Sequence, residues 1–300
     1  ADTAHADRRG DPAPGANSNP GNKERMMSAP KSIVAVLSAA LALAGQAVSH
    51  APQEVRIVVT GSSTIAPLMM DIAQRYEASH PGVQVDVQTG GSSRGLSDVR
   101  RKLADIGMVS RALGEEEEDV AATRIAWDGV ALIVHAQNPL ERLSDDQVRA
   151  IYTGQVTRWE ALGPWDGPIT VVSKAEGRST LGIFLAHLGL DIRDIRAHTI
   201  IGDNEQAVKV VAGNPRAVGY ISIGAAEYHA SAMTPIRALA LGAVAPTSAN
   251  VANGSYPVRR ELNLVTYPDP AAPVEAFLRF ASGQQVHDLI SDHYFSPASN

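Results

Sequence analysis

Three times along this chain a short β-rich run gives way to a cluster of Gly, Ser and Thr, and a helical pattern begins at once. Val55–Thr60 runs into Gly61-Ser62-Ser63-Thr64, followed by helical spacing at Ile65, Leu68, Ile72 and Tyr76. Val83, Val85 and Val87 alternate as a strand, then Thr89-Gly90-Gly91-Ser92-Ser93 precedes a helix predicted from about Gly95 to Leu103. Ile169–Val172 runs into Ser173-Lys174-Ala175-Glu176-Gly177-Arg178-Ser179-Thr180 and a helix through Leu188. With Asp105–Val109 as another strand, the order is β-α-β-α-β. That order demands an α/β fold with a parallel sheet and helices on its faces.

In open α/β sheets such loops gather at the C-terminal ends of the strands, where ligands bind. A helix start carries unpaired backbone N–H groups and a partial positive charge. Glycine permits close approach of the backbone, and Ser and Thr add hydroxyl donors. Each cluster therefore suits an anion. Each also suits plain helix capping, in which the hydroxyl turns back on its own backbone. None matches the Walker nucleotide loop or the full dinucleotide fingerprint.

The remaining pattern is consistent with a larger α/β protein. Ile125–Val134 reads as a buried strand entered through a turn at Asp128-Gly129. A short helix over 144–151 is capped by Ser144, and another over 204–212 by Asp203 or Asn204. The acidic run at 114–119 reads as a helix start, Val218–Ile223 as a strand, and about 270–290 as an amphipathic helical tail.

Composition narrows the function. A chain of 300 residues builds one large domain or two ordinary ones. The formal charge of -6, the absence of a basic tract and 5% aromatics argue against nucleic-acid binding. A net negative protein repels an anion at long range, so an anion site here depends on short hydrogen bonds and local dipoles. The absence of cysteine excludes disulfides, thiolate metal sites, cysteine nucleophiles and lipid attachment through cysteine. The nine histidines form no His-x-x-x-His or His-Glu-x-x-His, and no Gly-x-Ser-x-Gly occurs. A binding protein with no cofactor and no bound metal is expected, and enzymatic turnover is not.

Residues 1–25 are polar and aperiodic and read as a disordered or misassigned extension. Residues 26–50 have the form of a signal peptide: Lys31, an apolar run from Ile33 to Leu43, then small residues. The true start is then Met26 or Met27, and the mature protein lies in the periplasm without a lipid anchor.

The order of motifs resembles the phosphate-binding proteins of bacterial ABC phosphate importers. The matching stretches are TGSSTIAPL (60–68), QTGGSSRGLSDV (88–99), ADIGMVSR (104–111) and AWDGVALIVHAQNP (126–139). IYTGQVTRWEAL (151–162), SKAEGRSTLGIF (173–184), NPRAVGYIS (214–222) and YPVRRELNLVTY (256–267) continue the series. The resemblance implies a type II-like, two-lobe periplasmic-binding fold with mostly parallel central sheets and a hinge. Lobe I is expected at 51–134 plus 222–300, and lobe II at 135–221. Implied partners are inorganic phosphate or a similar oxyanion and an ABC permease in the inner membrane, with the binding protein a monomer.

Carried over by the resemblance, the anion-binding residues are Ser63, Thr64, Ser92, Ser93, Ser110, Lys174, Arg178, Ser179 and Thr180. Asp105, Arg111, Asp128 and His135 are implied as supports or hinge residues. Lys174 stands where the family often has arginine, which leaves Lys174 and Arg178 as two candidates for the ligand's counter-charge. Ser110 stands where some members have an aspartate that accepts the proton of hydrogenphosphate. That leaves sulfate and molybdate as alternatives to phosphate, and a secreted adhesion or sensory protein as an alternative role.

Overall fold

The computed structural model describes residues 54–241 and 243–298. The extension and signal-peptide readings lie outside the described residues.

The chain opens with β1 (Val55–Gly61), α1 (Ala66–Ser79), β2 (Val83–Thr89), α2 (Ser92–Arg100) and β3 (Ile106–Val109). Next come β4 (Ala121–His135), β5 (Arg142–Leu143), α3 (Asp145–Tyr152), β6 (Thr170–Lys174) and α4 (Ser179–Leu188). After them are β7 (Thr199–Ile201), α5 (Asn204–Gly213), β8 (Ala217–Ser222), α6 (Ile223–Ser231) and β9 (Ile236–Leu241). The chain closes with α7 (Ser248–Ala252), β10 (Arg259–Thr266), α8 (Ala272–Ala281), α9 (His287–Asp292) and β11 (Ser296–Pro297).

The main sheet path runs β2-β1-β3-β10-β4-β8-β6-β7. Parallel pairs lie at its two ends, β1 with β2 and β3, and β6 with β7 and β8. The middle is antiparallel, because β10 and β4 run against their neighbours. The sheet is therefore mixed, with the expected βαβ units flanking two crossing strands.

β4 is the element that joins the halves. Its first part, Ala121–Gly129, pairs with β10. Its second part pairs with β8 through Val130–Val134 and with β9 through Leu132–His135. The turn expected at Asp128-Gly129 is absent; the strand continues because both residues keep their ladder partners, Arg260 and Arg259.

Buried side chains separate at the same place. One core holds Ile57, Ile72, Met108, Ala126, Leu262 and Phe277. Another begins at Val130 and holds Tyr152, Trp159, Phe184, Tyr220 and Val258. Residues 222–258 were expected with the first lobe, but Ile223, Leu239, Val251 and Tyr256 pack into the second core. The pattern is physical: α6, β9 and α7 follow β8 directly, and β9 pairs with the second part of β4.

The strand-to-helix junctions start as soon as the sheet ends. α2 begins at Ser92 rather than near Gly95, because Gly91 at φ +94° turns the chain sharply out of β2. Gly61 closes β1 at φ +132°, and a Cβ there would sit 2.4 Å from the Met108 carbonyl oxygen on β3. Gly61→Ala should therefore lower stability by at least ~2 kcal/mol in urea denaturation, through strain and a displaced neighbouring strand.

Candidate functional site

Helix capping decides what the three Gly/Ser/Thr clusters do. α3, α5, α6 and α7 are capped by their own Ser144, Asp203, Ser222 and Thr247 side chains. α1, α2 and α4 have no side-chain cap. Their hydroxyls are free for another task, and the positive helix ends are left open.

All three junctions line one narrow cavity. Ser62, Ser63 and Thr64 come from the first, Gly91 and Ser92 from the second, and Arg178, Ser179 and Thr180 from the third. Ser110 at the end of β3, Lys174 at the end of β6, and Gly202 complete the lining. The volume is about 10 Å³, far below the ~300–1,000 Å³ of organic-ligand pockets. A wider cleft of about 650 Å³ lies beyond Thr64 and Asn204, but Asp71, Asp203, Glu205 and Asp292 line it and would repel an anion.

The two halves meet across the narrow cavity. The Ser93 backbone N–H donates to the Gly177 carbonyl at 3.2 Å. Gly91 lies so close that a Cβ there would be 2.8 Å from the same oxygen. Asn204 Nδ2 donates to Thr64 Oγ1 at 3.4 Å.

A second set of bonds ties the hydroxyls together. Ser62 Oγ donates to Ser110 Oγ at 3.0 Å and accepts from the Thr64 N–H at 3.2 Å. Ser92 Oγ accepts from the Ser110 N–H at 3.1 Å. Arg260 donates to Thr180 Oγ1 at 2.8 Å and to Thr64 Oγ1 at 3.1 Å. Its other contacts are two bonds to Asp128 Oδ2, at 2.6 and 2.8 Å, in a pair only 1% and 0% exposed. Ser179 Oγ is buried with no hydrogen-bond partner among the described residues, an arrangement that suits a missing acceptor.

The electrostatics are one-sided. Lys174 and Arg178 line the cavity, Arg260 stands behind Thr64 and Thr180, and no carboxylate lines it among the described residues. Asp128 is committed to Arg260 and to the Gly224 N–H. Lys174 Nζ donates to Asn204 Oδ1 at 3.0 Å. Burial, with repulsion from Arg260, lowers the Lys174 ammonium from 10.5 to about 7. Burial also pushes the Tyr220 phenol up to about 12, so it stays neutral beside Ser173 and the Lys174 N–H.

Eight of the nine carried-over anion residues line the cavity. Ser93 does not: its side chain is exposed and its N–H is spent on Gly177, because α2 already starts at Ser92. Three of the expected supports lie elsewhere. Asp105 precedes β3 at the end remote from Ser110, where it accepts from the Val58 N–H. Arg111 pairs with Glu117 at 2.5 and 2.6 Å. His135 ends β4, roughly 23 Å of extended strand beyond Asp128, and accepts from the Gln137 N–H. Asp128 sits beside the site, though its partner is chiefly a guanidinium rather than backbone. Arg260, Asn204 and Ser62 were not singled out by the sequence reading. For Arg260 the signal was present in the YPVRRELNLVTY stretch; the buried Asp128 needed a cation, and only the β4–β10 register shows which.

Two α/β halves joined by crossing strands, with open helix ends facing a small polar cavity between them, define a solute-binding architecture. Residues 46–284 match the PBP superfamily domain model, and the chain belongs to that superfamily. The phosphate-binding protein PstS of Bacillus subtilis is 28% identical over 253 residues, covering 81% of each chain. A phosphate ABC transporter substrate-binding protein from Clostridium perfringens, solved with bound phosphate, superposes with a TM-score of 0.76 at 29% identity, covering 81% of this chain and all of that one. An ABC-type phosphate transport receptor from Vibrio cholerae gives 0.66 at 31% identity, covering 80% and 99%. The two-lobe periplasmic-binding fold expected from the sequence is thereby established.

Two outcomes follow from the charges. Asp128→Ala leaves Arg260 buried and unpaired, and should cost about 3–5 kcal/mol in chemical denaturation. The folded pKa of Lys174 lies below its unfolded value, so the unfolded chain binds more protons between about pH 7 and 10.5. Stability of the ligand-free protein, measured against Lys174→Met, should rise across that window and stay flat below pH 7. A constant difference from pH 6 to 10 would show Lys174 to be unperturbed.

Proposed function

We propose that this protein binds inorganic phosphate outside the cytoplasm and hands it to an ABC permease in the membrane. The observation that carries the reading is a small cavity where three uncapped helix starts, hydroxyls and the Lys174 and Arg178 cations converge, with no carboxylate lining it among the described residues. The names of its relatives supply the anion, since they are phosphate-binding or phosphate-transport proteins. Those names describe binding proteins, and binding without turnover is the activity proposed here.

The ligands are Ser63, Thr64, Ser92, Ser110, Lys174, Arg178, Ser179 and Thr180, with Gly91 supplying close backbone. Lys174 carries the buried charge and Arg178 the charge at the rim. The halves divide at Asp128–Gly129 in β4 and near Val258–Arg259 before β10, where the two cores part. Rotation about these crossings opens the cavity for the solute. Closure brings Thr64, Thr180 and Asn204 together and lowers the local dielectric, which strengthens each hydrogen bond to the ion. Among the described residues no helix is long and apolar enough to cross a membrane, in keeping with a protein that meets its permease from outside.

Isothermal titration with phosphate tests the reading. Thr64→Ala and Ser179→Ala should each raise Kd by about tenfold to a hundredfold, the range for a lost hydrogen bond to a charged group. Unchanged affinity in both variants would place the anion elsewhere, and no heat with phosphate at all would end the assignment.

A further inference from the structure

The charge on Lys174 is not secured by the fold. Its side chain leaves the last residue of β6 and is buried, at 4% exposure. Nζ donates to Asn204 Oδ1 at 3.0 Å, and a neutral amide offers no counter-charge. Arg260, by contrast, is paired with Asp128, and Arg178 is only half-buried. A buried ammonium without a carboxylate is costly, and lysine, unlike arginine, can escape the cost by giving up its proton.

The elements packed around Lys174 supply no carboxylate to it. β8 brings the Tyr220 phenol, which burial pushes up to about 12 and which bonds to Ser173 and the Lys174 N–H. α3 brings the Tyr152 phenol, raised by burial and donating to the Val172 carbonyl. β7 pairs with β6 through Thr199, Ile200 and Ile201, none of which titrates. The starts of α1 and α2 face the cavity with hydroxyls. Arg178 before α4 and Arg260 on β10 add charge of the same sign. Asp128 on β4 is held by Arg260. α5 carries Asp203 and Glu205, but Asp203 caps that helix by accepting from the Gln206 N–H at 2.8 Å, and Glu205 bonds His229 at 2.9 Å. Burial, and then repulsion by Arg260, outweigh the attraction of Asp203.

An oxyanion in the cavity reverses that balance, because an opposite charge within about 4–6 Å favours the ammonium. We infer that Lys174 is a proton-coupled counter-charge, its amine taking a proton from solvent when the anion enters and returning it when the anion leaves. The inference rests on the proposed anion site and adds its regulation. The neutral amine, a proton and the anion combine to give an ammonium–anion pair, so alkaline conditions oppose binding. An arginine in the same place would exchange no proton. The lysine therefore makes retention of the anion depend on pH.

Calorimetric titration of the full protein with phosphate at pH 8.5, in two buffers of different ionisation enthalpy, counts the protons exchanged. Free phosphate is then almost wholly hydrogenphosphate dianion and contributes little itself. The expected result is uptake of at least half a proton per phosphate bound, with Kd weakening about threefold to tenfold per pH unit between pH 8 and 9.5. Uptake below half a proton overturns the inference and leaves phosphate binding standing. Absence of binding overturns the phosphate reading and the inference with it. Lys174→Arg locates the proton: uptake should fall to almost none, and uptake that persists places the proton on the anion and overturns the inference. A measurement on the unsubstituted protein covers a variant that fails to fold or bind. With isotope-labelled lysine Cε, and the exposed Lys102 and Lys209 as internal references, the Lys174 resonance at pH 8.5 should move from the neutral-amine to the ammonium position on adding phosphate. An ammonium resonance before phosphate is added overturns the inference.

Discussion

The buried pair of Asp128 and Arg260 is the interaction on which the rest of this structure depends. Both residues lie at the crossing of β4 and β10, the two strands in the middle of the sheet. A charge at 1% exposure is tolerable only with a partner of opposite sign and further hydrogen bonds. Asp128 supplies the charge, and the Thr64 and Thr180 hydroxyls take up the remaining guanidinium donors. One guanidinium thus satisfies a carboxylate at the crossing and aligns a hydroxyl from each half. The geometry of the cavity follows from the electrostatic needs of the strands beneath it.

The same economy explains why the helix starts are left open. Elsewhere α3, α5, α6 and α7 finish their own ends with Ser, Asp or Thr, while α8 and α9 start on Ala271 and Val286, which have no capping side chain. At the cavity the hydroxyls bond to one another and to Arg260 instead. Local stability is given up at three helix ends, and the crossing pair and the two cores hold the fold without it. Lys174 reflects the same bargain. Its ammonium is buried beside a guanidinium with only a neutral amide as partner, and its pKa falls accordingly.

Much of this was legible in the sequence because period and punctuation are local. Strand alternation at Val83, Val85 and Val87, the glycine-led junctions and the caps at Ser144 and Asp203 are short-range signals, and the structure carries them nearly as read. Motif resemblance placed Thr64, Lys174 and Thr180 in one site. What the sequence concealed is long-range. Arg260 lies 132 residues from its carboxylate, so no window along the chain pairs them. Asp128-Gly129 resembles a turn by composition, yet sheet pairing on both sides keeps it extended. Asp105 and Arg111 flank a strand that ends at the cavity, and adjacency in sequence suggested a part in it. Strand direction puts Asp105 at the far end, and Glu117 draws Arg111 away. Residues 222–258 join the second core because β9 completes that half of the sheet, a choice made by pairing rather than by order.

The uncapped helix ends carry a thermodynamic consequence. A fold that leaves its own dipoles unfinished, and rings them with cations, is incomplete until a solute arrives. In the proposed function the ion then acts as a part of the architecture, a counter-charge held in solution rather than encoded in the chain. By mass action, the free energy of the closed form becomes a logarithmic measure of how much anion surrounds it. Scarcity of the solute is thereby registered as a looser protein, before any other component has been touched.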